Sequence, residues 1–226
     1  MAPPPVSDTL RNQRLRFWEL WVLFVAFPIG LFFIRDHFAR WIVPTLLITS
    51  AACSLILLRD PTFDRRRFGL ATPLGQGLAM ILRRFIPGAL AITLLLVIFR
   101  PELLFSFPRR EPFWWAVVMV AYPLLSVYPQ EILFRTFFFH RYRHLLTSER
   151  IAVLWSAAVF GLAHLFFANW IAPTLTAAGG YLFARTYART GSTLLVTLEH
   201  ALWGDFLFTI GLGSYFFGGS IRDNLG

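Results

Sequence analysis

Two opposite charges stand in a stretch that is otherwise apolar. Glu131 and Arg135 lie between Phe113 and about Phe139. A charge at bilayer depth costs about 2.5–3.5 kcal/mol on insertion scales, so each calls for a partner. Four residues apart on a helix, the two share a face and can pair. His164 and His200, in later apolar segments, complete a set. A carboxylate can act as general base on a water, and a neutral imidazole can hold that water or donate to a developing oxyanion. One carboxylate with two imidazoles is also a zinc ligand set with one open position. No HExxH spacing occurs, so a metal held by Glu131, His164 and His200 would sit between helices.

Taken singly, each residue has a structural reading: an ion pair, then two packing histidines. Their depths favour a shared site. At the helical rise, Glu131 lies about 14 Å from the basic end of its span, His164 about 20 Å from Ile151 and His200 about 12 Å from Ser192. All three are expected in one slab, in the cytoplasmic half of the bilayer. Glu199 and Asp205 flank His200 but face other directions on a helix, as supporting groups or facing water. His140 and His144, beside Arg141 and Arg143, read as headgroup contacts.

The chain that must position these groups has 226 residues, 57% of them hydrophobic and 15% charged, with a mean hydropathy of +0.60. A soluble domain is nearer half apolar and a quarter charged. The expected class is therefore all-α, a polytopic transmembrane helix bundle. Apolar runs of membrane length number about seven (six to eight): 17–34, 41–58, 85–99, 113–139, 151–168, 171–188 and 192–211. The third is short, and residues 77–82 before it read either as an interfacial helix or as part of a longer, broken span. The fourth is too long for one straight crossing, and Pro123 and Pro129 are expected to kink it. Gly179 and Gly180 would allow close helix approach or a kink in the sixth. Cys53, the lone cysteine, excludes an internal disulfide and reads as a small buried hydrophobe.

All 21 cationic residues are arginine, and the net charge is +9. In a soluble protein that charge would point to nucleic acid; here it reads as positive loops on the cytoplasmic side, with no nucleic-acid partner. Fourteen arginines fall on the side of the N-terminus and six on the other. That bias favours a cytoplasmic N-terminus. Residues 1–16 read as a cytoplasmic segment without a cleaved signal peptide, and 17–226 as a single membrane-embedded domain. The expected location is a bacterial inner membrane, with lipids as partners.

The ordered pattern resembles the CAAX protease and bacteriocin-processing family of intramembrane proteases. Its motifs are EExxxR, FxxxH and HxxxN or a variant, on separate transmembrane helices. Here they read Gln130-Glu131-Ile132-Leu133-Phe134-Arg135, then Phe160-Gly161-Leu162-Ala163-His164, then His200-Ala201-Leu202-Trp203-Gly204. The resemblance implies a protease-like core at about 113–211 and a cytoplasm-facing cavity. It also implies hydrolysis of a peptide bond in a membrane-associated protein or peptide. Glu131, His164 and His200 are the implied catalytic residues, with Gln130, Arg135, Phe160, Glu199 and Asp205 in support. It points to carboxylate-activated water and no metal cofactor, although zinc is the alternative.

Two positions depart from the motifs. Gln130 stands where the first glutamate belongs, and Gly204 where the asparagine belongs. Either Glu131 serves as the base, or Glu199 or Asp205 substitutes, or the chain is an inactive relative acting as a scaffold or immunity protein. A proton-coupled transporter using Glu131, His164 and Glu199 as a relay is a further alternative.

Overall fold

Much of the exterior of this protein is apolar, while three of its charges are fully buried. Ile48, Leu90 and Phe99 are about 70% exposed, whereas Glu131, Arg135 and Glu199 are inaccessible. Water would reject that arrangement and lipid accepts it. In the computed structural model, which describes residues 6–216, five helices are long and apolar enough to cross a membrane. They are α1 (Asn12–Phe33), α2 (Arg35–Arg59), α3 (Leu74–Phe99), α4 (Pro112–Arg141) and α5 (Glu149–Phe167). Two more helices, α6 (Ile171–Thr190) and α7 (Thr193–Ile210), are of 20 and 18 residues. They were also expected as spans, but their polar residues lower their hydropathy. In α7 the glutamate and histidine that do so, Glu199 and His200, are buried in the bundle. No strand occurs among the described residues, and the fold is the all-α membrane bundle expected. Residues 1–5 of the anticipated N-terminal segment, and Arg222 of the charge count, lie outside the described residues.

Local signals set the helix ends around the site. The Ser148 and Ser192 hydroxyls accept from the backbone N–H groups of Ile151 and Leu195, capping α5 and α7. The Asn169 side chain accepts from Ala172 N–H at 2.8 Å at the start of α6. Gly191, with φ of +61°, turns the chain between α6 and α7 in a conformation that favours glycine.

Helix α3 revises the short third span. It runs unbroken for 26 residues with Pro87 inside, and takes in residues 77–82. Arg83 and Arg84 are therefore helix residues and not loop charges; Arg84 reaches inward to Thr186 at 3.2 Å. Helix α4 answers its two prolines by widening. π-Helical turns at Pro123–Val127 and Ile132–Phe137 flank one α-helical stretch, Tyr128–Glu131. Proline supplies no N–H to the ladder, and a wider turn re-satisfies the neighbouring groups.

Helices α5 and α6 pack closely because two glycines face the contact. A Cβ at Gly161 would meet the Ala177 methyl at 2.8 Å, and one at Gly180 would meet Phe160 at 3.0 Å. Glycine here gives the close approach anticipated for the sixth span, and α6 continues as one helix through it. Across the bundle, Phe24 of α1 sits edge-on to Phe134 and Phe138 of α4, with centroids 5.6 and 5.3 Å away. At the basic end, Glu19 accepts two bonds from Arg141, at 2.9 and 2.8 Å, and one from Tyr142 at 3.0 Å. His140 is tied to the Asp60 carboxylate at 2.8 Å and packs on Phe63, in place of the expected headgroup contact. Cys53 is buried.

Candidate active site

The two π-turns decide which side of α4 each residue presents. Gln130 borders a cavity of about 820 Å³, and Glu131, one residue on, does not. Glu131 points between α4 and α7 and is fully buried. Its Oε1 accepts from His200 Nδ1 at 2.7 Å. Its Oε2 stands 3.2 Å from Arg135 Nε, an ion-pair distance four residues along the chain. Because the carboxylate offers only acceptors, the proton of a neutral His200 is on Nδ1 and the lone pair is on Nε2.

Arg135 is as buried as its partner and is held from three sides. Its Nη2 donates to the Gly180 carbonyl at 3.3 Å. Its guanidinium carbon lies 4.2 Å from the Phe160 centroid and 5.5 Å from that of Phe183. Cation–π contact of this kind is stronger when desolvated. The bare backbone of Gly180 admits Phe160 and brings that carbonyl within reach.

Phe160 organises the histidines. Its ring is 4.7 Å from the His164 ring and 5.4 Å from that of His200. Its carbonyl accepts from His164 Nδ1 at 2.7 Å, which leaves His164 Nε2 without the proton. Phe183 stacks on His200 at 4.5 Å with rings 20° apart. His164, His200 and Gln130 all line the cavity. The structure thus brings together Glu131, His200 and Arg135 by direct contact, and His164 by the cavity wall and Phe160.

Glu199 and Asp205 are not in that wall. Glu199 faces Arg84 of α3, 3.6 Å away, in line with its helix direction. Asp205 has a buried carboxyl oxygen with no hydrogen-bond partner in the protein. Gln130 donates to Ser126 at 2.7 Å, while its carbonyl oxygen is buried without a protein partner. Gly204 lies in the wall as a bare backbone.

The cavity extends from the site toward one end of the bundle. Its lining comes mostly from the second halves of α1, α5 and α7 and the first halves of α2 and α6, together with part of α4. It therefore extends from the site toward the end where α1 meets α2 and α5 meets α6. The arginine-rich loops 59–73 and 141–149 are at the other end. On the charge bias, this is the side away from the cytoplasm. The helix depths placed the three residues in one slab, but the open space lies beyond them.

Sequence reasoning passed over Tyr122. Its hydroxyl is 3.1 Å from His200 Nε2. Nine residues is about two and a half helical turns, so a regular helix would set Tyr122 opposite Glu131. The π-turn at Pro123–Val127 lets both reach one imidazole. A phenol in an apolar span, next to a proline, was the available signal.

Among the described residues no cluster of three histidine, cysteine, aspartate or glutamate side chains is arranged to hold a metal. Glu131 accepts from His200 Nδ1 through one oxygen and faces Arg135 with the other, so it is not placed to ligate a metal directly.

The comparisons with known proteins bear on the same segment. Residues 112–204 match the family model described as Rce1-like, type II CAAX prenyl endopeptidase Rce1-like. No curated protein matches the chain, and no solved structure does.

Proposed function

We propose, from the match of residues 112–204 to the Rce1-like family model, that this integral membrane protein is an endopeptidase of the CAAX protease and bacteriocin-processing type, acting on a membrane-attached protein or peptide near its end. The observation that carries this reading is the 2.7 Å bond from His200 Nδ1 to Glu131, with the other face of the imidazole on the cavity.

Glu131 acts as base through His200. A water held at His200 Nε2, with His164 Nε2 on the same wall, gives up its proton to His200 as its oxygen attacks the scissile carbonyl. Glu131 stabilises the imidazolium and fixes its tautomer, and Arg135 holds Glu131 in place. The proton then passes to the leaving nitrogen as the C–N bond breaks, giving a carboxylic acid and an amine. Positioned proton transfer of this kind contributes about 10²–10⁴-fold. No metal takes part in this route. The mostly apolar cavity suits a lipid-modified segment beside the scissile bond, and the family description makes a prenylated C-a-a-X peptide the first substrate to offer. The bacterial inner membrane remains the proposed location.

Purified full-length protein in liposomes, given a farnesylated C-a-a-X peptide, should release the C-terminal tripeptide. Absence of cleavage, with that peptide and with a library of unmodified ones, would contradict the reading. The second reading is an inactive relative serving as scaffold or immunity protein. The amide of Gln130 on the cavity wall favours it, since an amide cannot take a proton from water. Under that reading only Gln130→Glu would cleave.

A further inference from the structure

Gly204 leaves a gap in the wall one turn after His200, and Tyr122 fills it. A Cβ on Gly204 would fall 2.6 Å from the Tyr122 hydroxyl oxygen and 2.7 Å from Cζ. Real Cβ atoms do not approach so closely, so the phenol occupies the volume that a side chain at 204 would take. The ring is held there by Phe208, edge-on at 5.1 Å. The hydroxyl reaches His200 Nε2 at 3.1 Å. Both residues line the cavity.

We infer that Tyr122 is the oxyanion donor of this site, in place of any side chain at position 204. The inference rests on the peptidase reading. His200 Nε2 has one lone pair, which accepts the phenol O–H at rest. A water that gives its proton to Nε2 must displace that O–H. The phenol is then left beside the attacked carbonyl with its proton free to donate to the developing O⁻. No proton leaves Tyr122 in this step. The water O–H breaks to Nε2, the new C–O bond forms, and the carbonyl electron pair moves to the oxygen that Tyr122 holds. Donors preorganised about 2.7–3.1 Å from the oxyanion serve this role best. The fold fixes Tyr122 between the π-turn and α7, so little reorganisation is needed.

The test compares kcat and KM for the wild type, Tyr122→Phe, Tyr122→Ala and the double variant Tyr122→Ala/Gly204→Asn, as full chains in liposomes with the farnesylated peptide. Thermal unfolding in detergent checks that each is folded. Tyr122→Phe keeps the ring and should lower kcat by about 10²–10³-fold with KM nearly unchanged. The double variant restores a short donor from position 204 and should cleave about tenfold or more faster than Tyr122→Ala. Gly204→Asn alone should destabilise the protein, because the phenol already fills the space. An unchanged or raised kcat in Tyr122→Phe would overturn the inference and make the phenol only a cap on His200. A double variant no faster than Tyr122→Ala would also overturn it. Wild type that does not cleave removes the peptidase reading and this inference together; cleaving wild type with equally active Tyr122→Phe removes the inference alone.

Discussion

Replacing Arg135 and replacing Glu131 should have different consequences, although the two form one ion pair. Arg135→Gln removes a guanidinium with no exposed surface, lying 4.2 Å over Phe160 and bonded to the Gly180 carbonyl. Breaking a buried pair by removing one partner costs about 3–5 kcal/mol. The lost ring contact adds about 2 kcal/mol when desolvated. That approaches the whole stability of a marginal protein, about 5–15 kcal/mol. Glu131→Gln is milder, because its amide oxygen can still accept from Arg135 while its N–H donates to the Nδ1 of the other His200 tautomer. Arg135 also keeps Gly180 and two aromatic faces. A loss of about 1–3 kcal/mol is expected for the weakened bonds. Its effect should appear in chemistry: without the carboxylate the His200 imidazolium is unsupported, and kcat should fall by about 10²–10⁴-fold. The assay pairs thermal unfolding in detergent with peptide cleavage in liposomes. Arg135→Gln should fail to fold or unfold far earlier, while Glu131→Gln should fold and not cleave. Equal folding defects in the two would make Glu131 purely half of a structural pair, and normal cleavage by Glu131→Gln would refute its part in the base.

Gln130→Glu places a carboxylate on the cavity wall beside the histidines and should keep or raise the cleavage rate; a fall would show that Ser126 and the unpartnered amide oxygen need a neutral group. Gly161→Val should destabilise by about 1–3 kcal/mol through overpacking against Ala177 and Pro173, read as an earlier thermal transition; an unchanged transition would mean that α5 and α6 part without cost. Asp60 has its carboxyl held well below the usual range, by the His140 hydrogen bond first and then by Thr62. Such a depressed group stabilises above its unfolded value of about 3.9, and the benefit is lost as pH falls toward the folded value. Asp60 is more than a third exposed, so Asp60→Asn should cost within about 1 kcal/mol at pH 7, and the difference from wild type should shrink below about pH 4. A difference that persists in acid would contradict the assigned cause.

The residue types that announce the site were legible because charges and imidazoles in apolar runs have few uses. Glu131, Arg135, His164 and His200 stand out on composition alone, and helical spacing gives the 131–135 pair. What periodicity could not give was the rotation of α4. The prolines signalled a departure from regular helix, and the departure takes the form of two π-turns. Those turns send Gln130 to the cavity, Glu131 to His200 and Tyr122 into the space above Gly204. The length of α3 was obscured by Arg83 and Arg84, which read as loop charges; inside the bundle Glu199 and Thr186 are partners of Arg84. The direction of the cavity depends on which side chains leave space between helices, and no pattern along one helix encodes that. Cysteine labelling near Arg14 from each side of the membrane decides the orientation: a cytoplasmic N-terminus, as the arginines favour, sets the cavity mouth on the far side.

The most direct measurement is the cleavage rate of His200→Gln against wild type, as folded full-length proteins in the same liposomes with the farnesylated peptide. Glutamine can still donate to Glu131 but cannot take a proton from water. Tripeptide release by wild type and a loss of at least about 10²-fold in the variant is the predicted result. Cleavage by His200→Gln at the wild-type rate would contradict the account of a Glu131–His200 base facing the cavity.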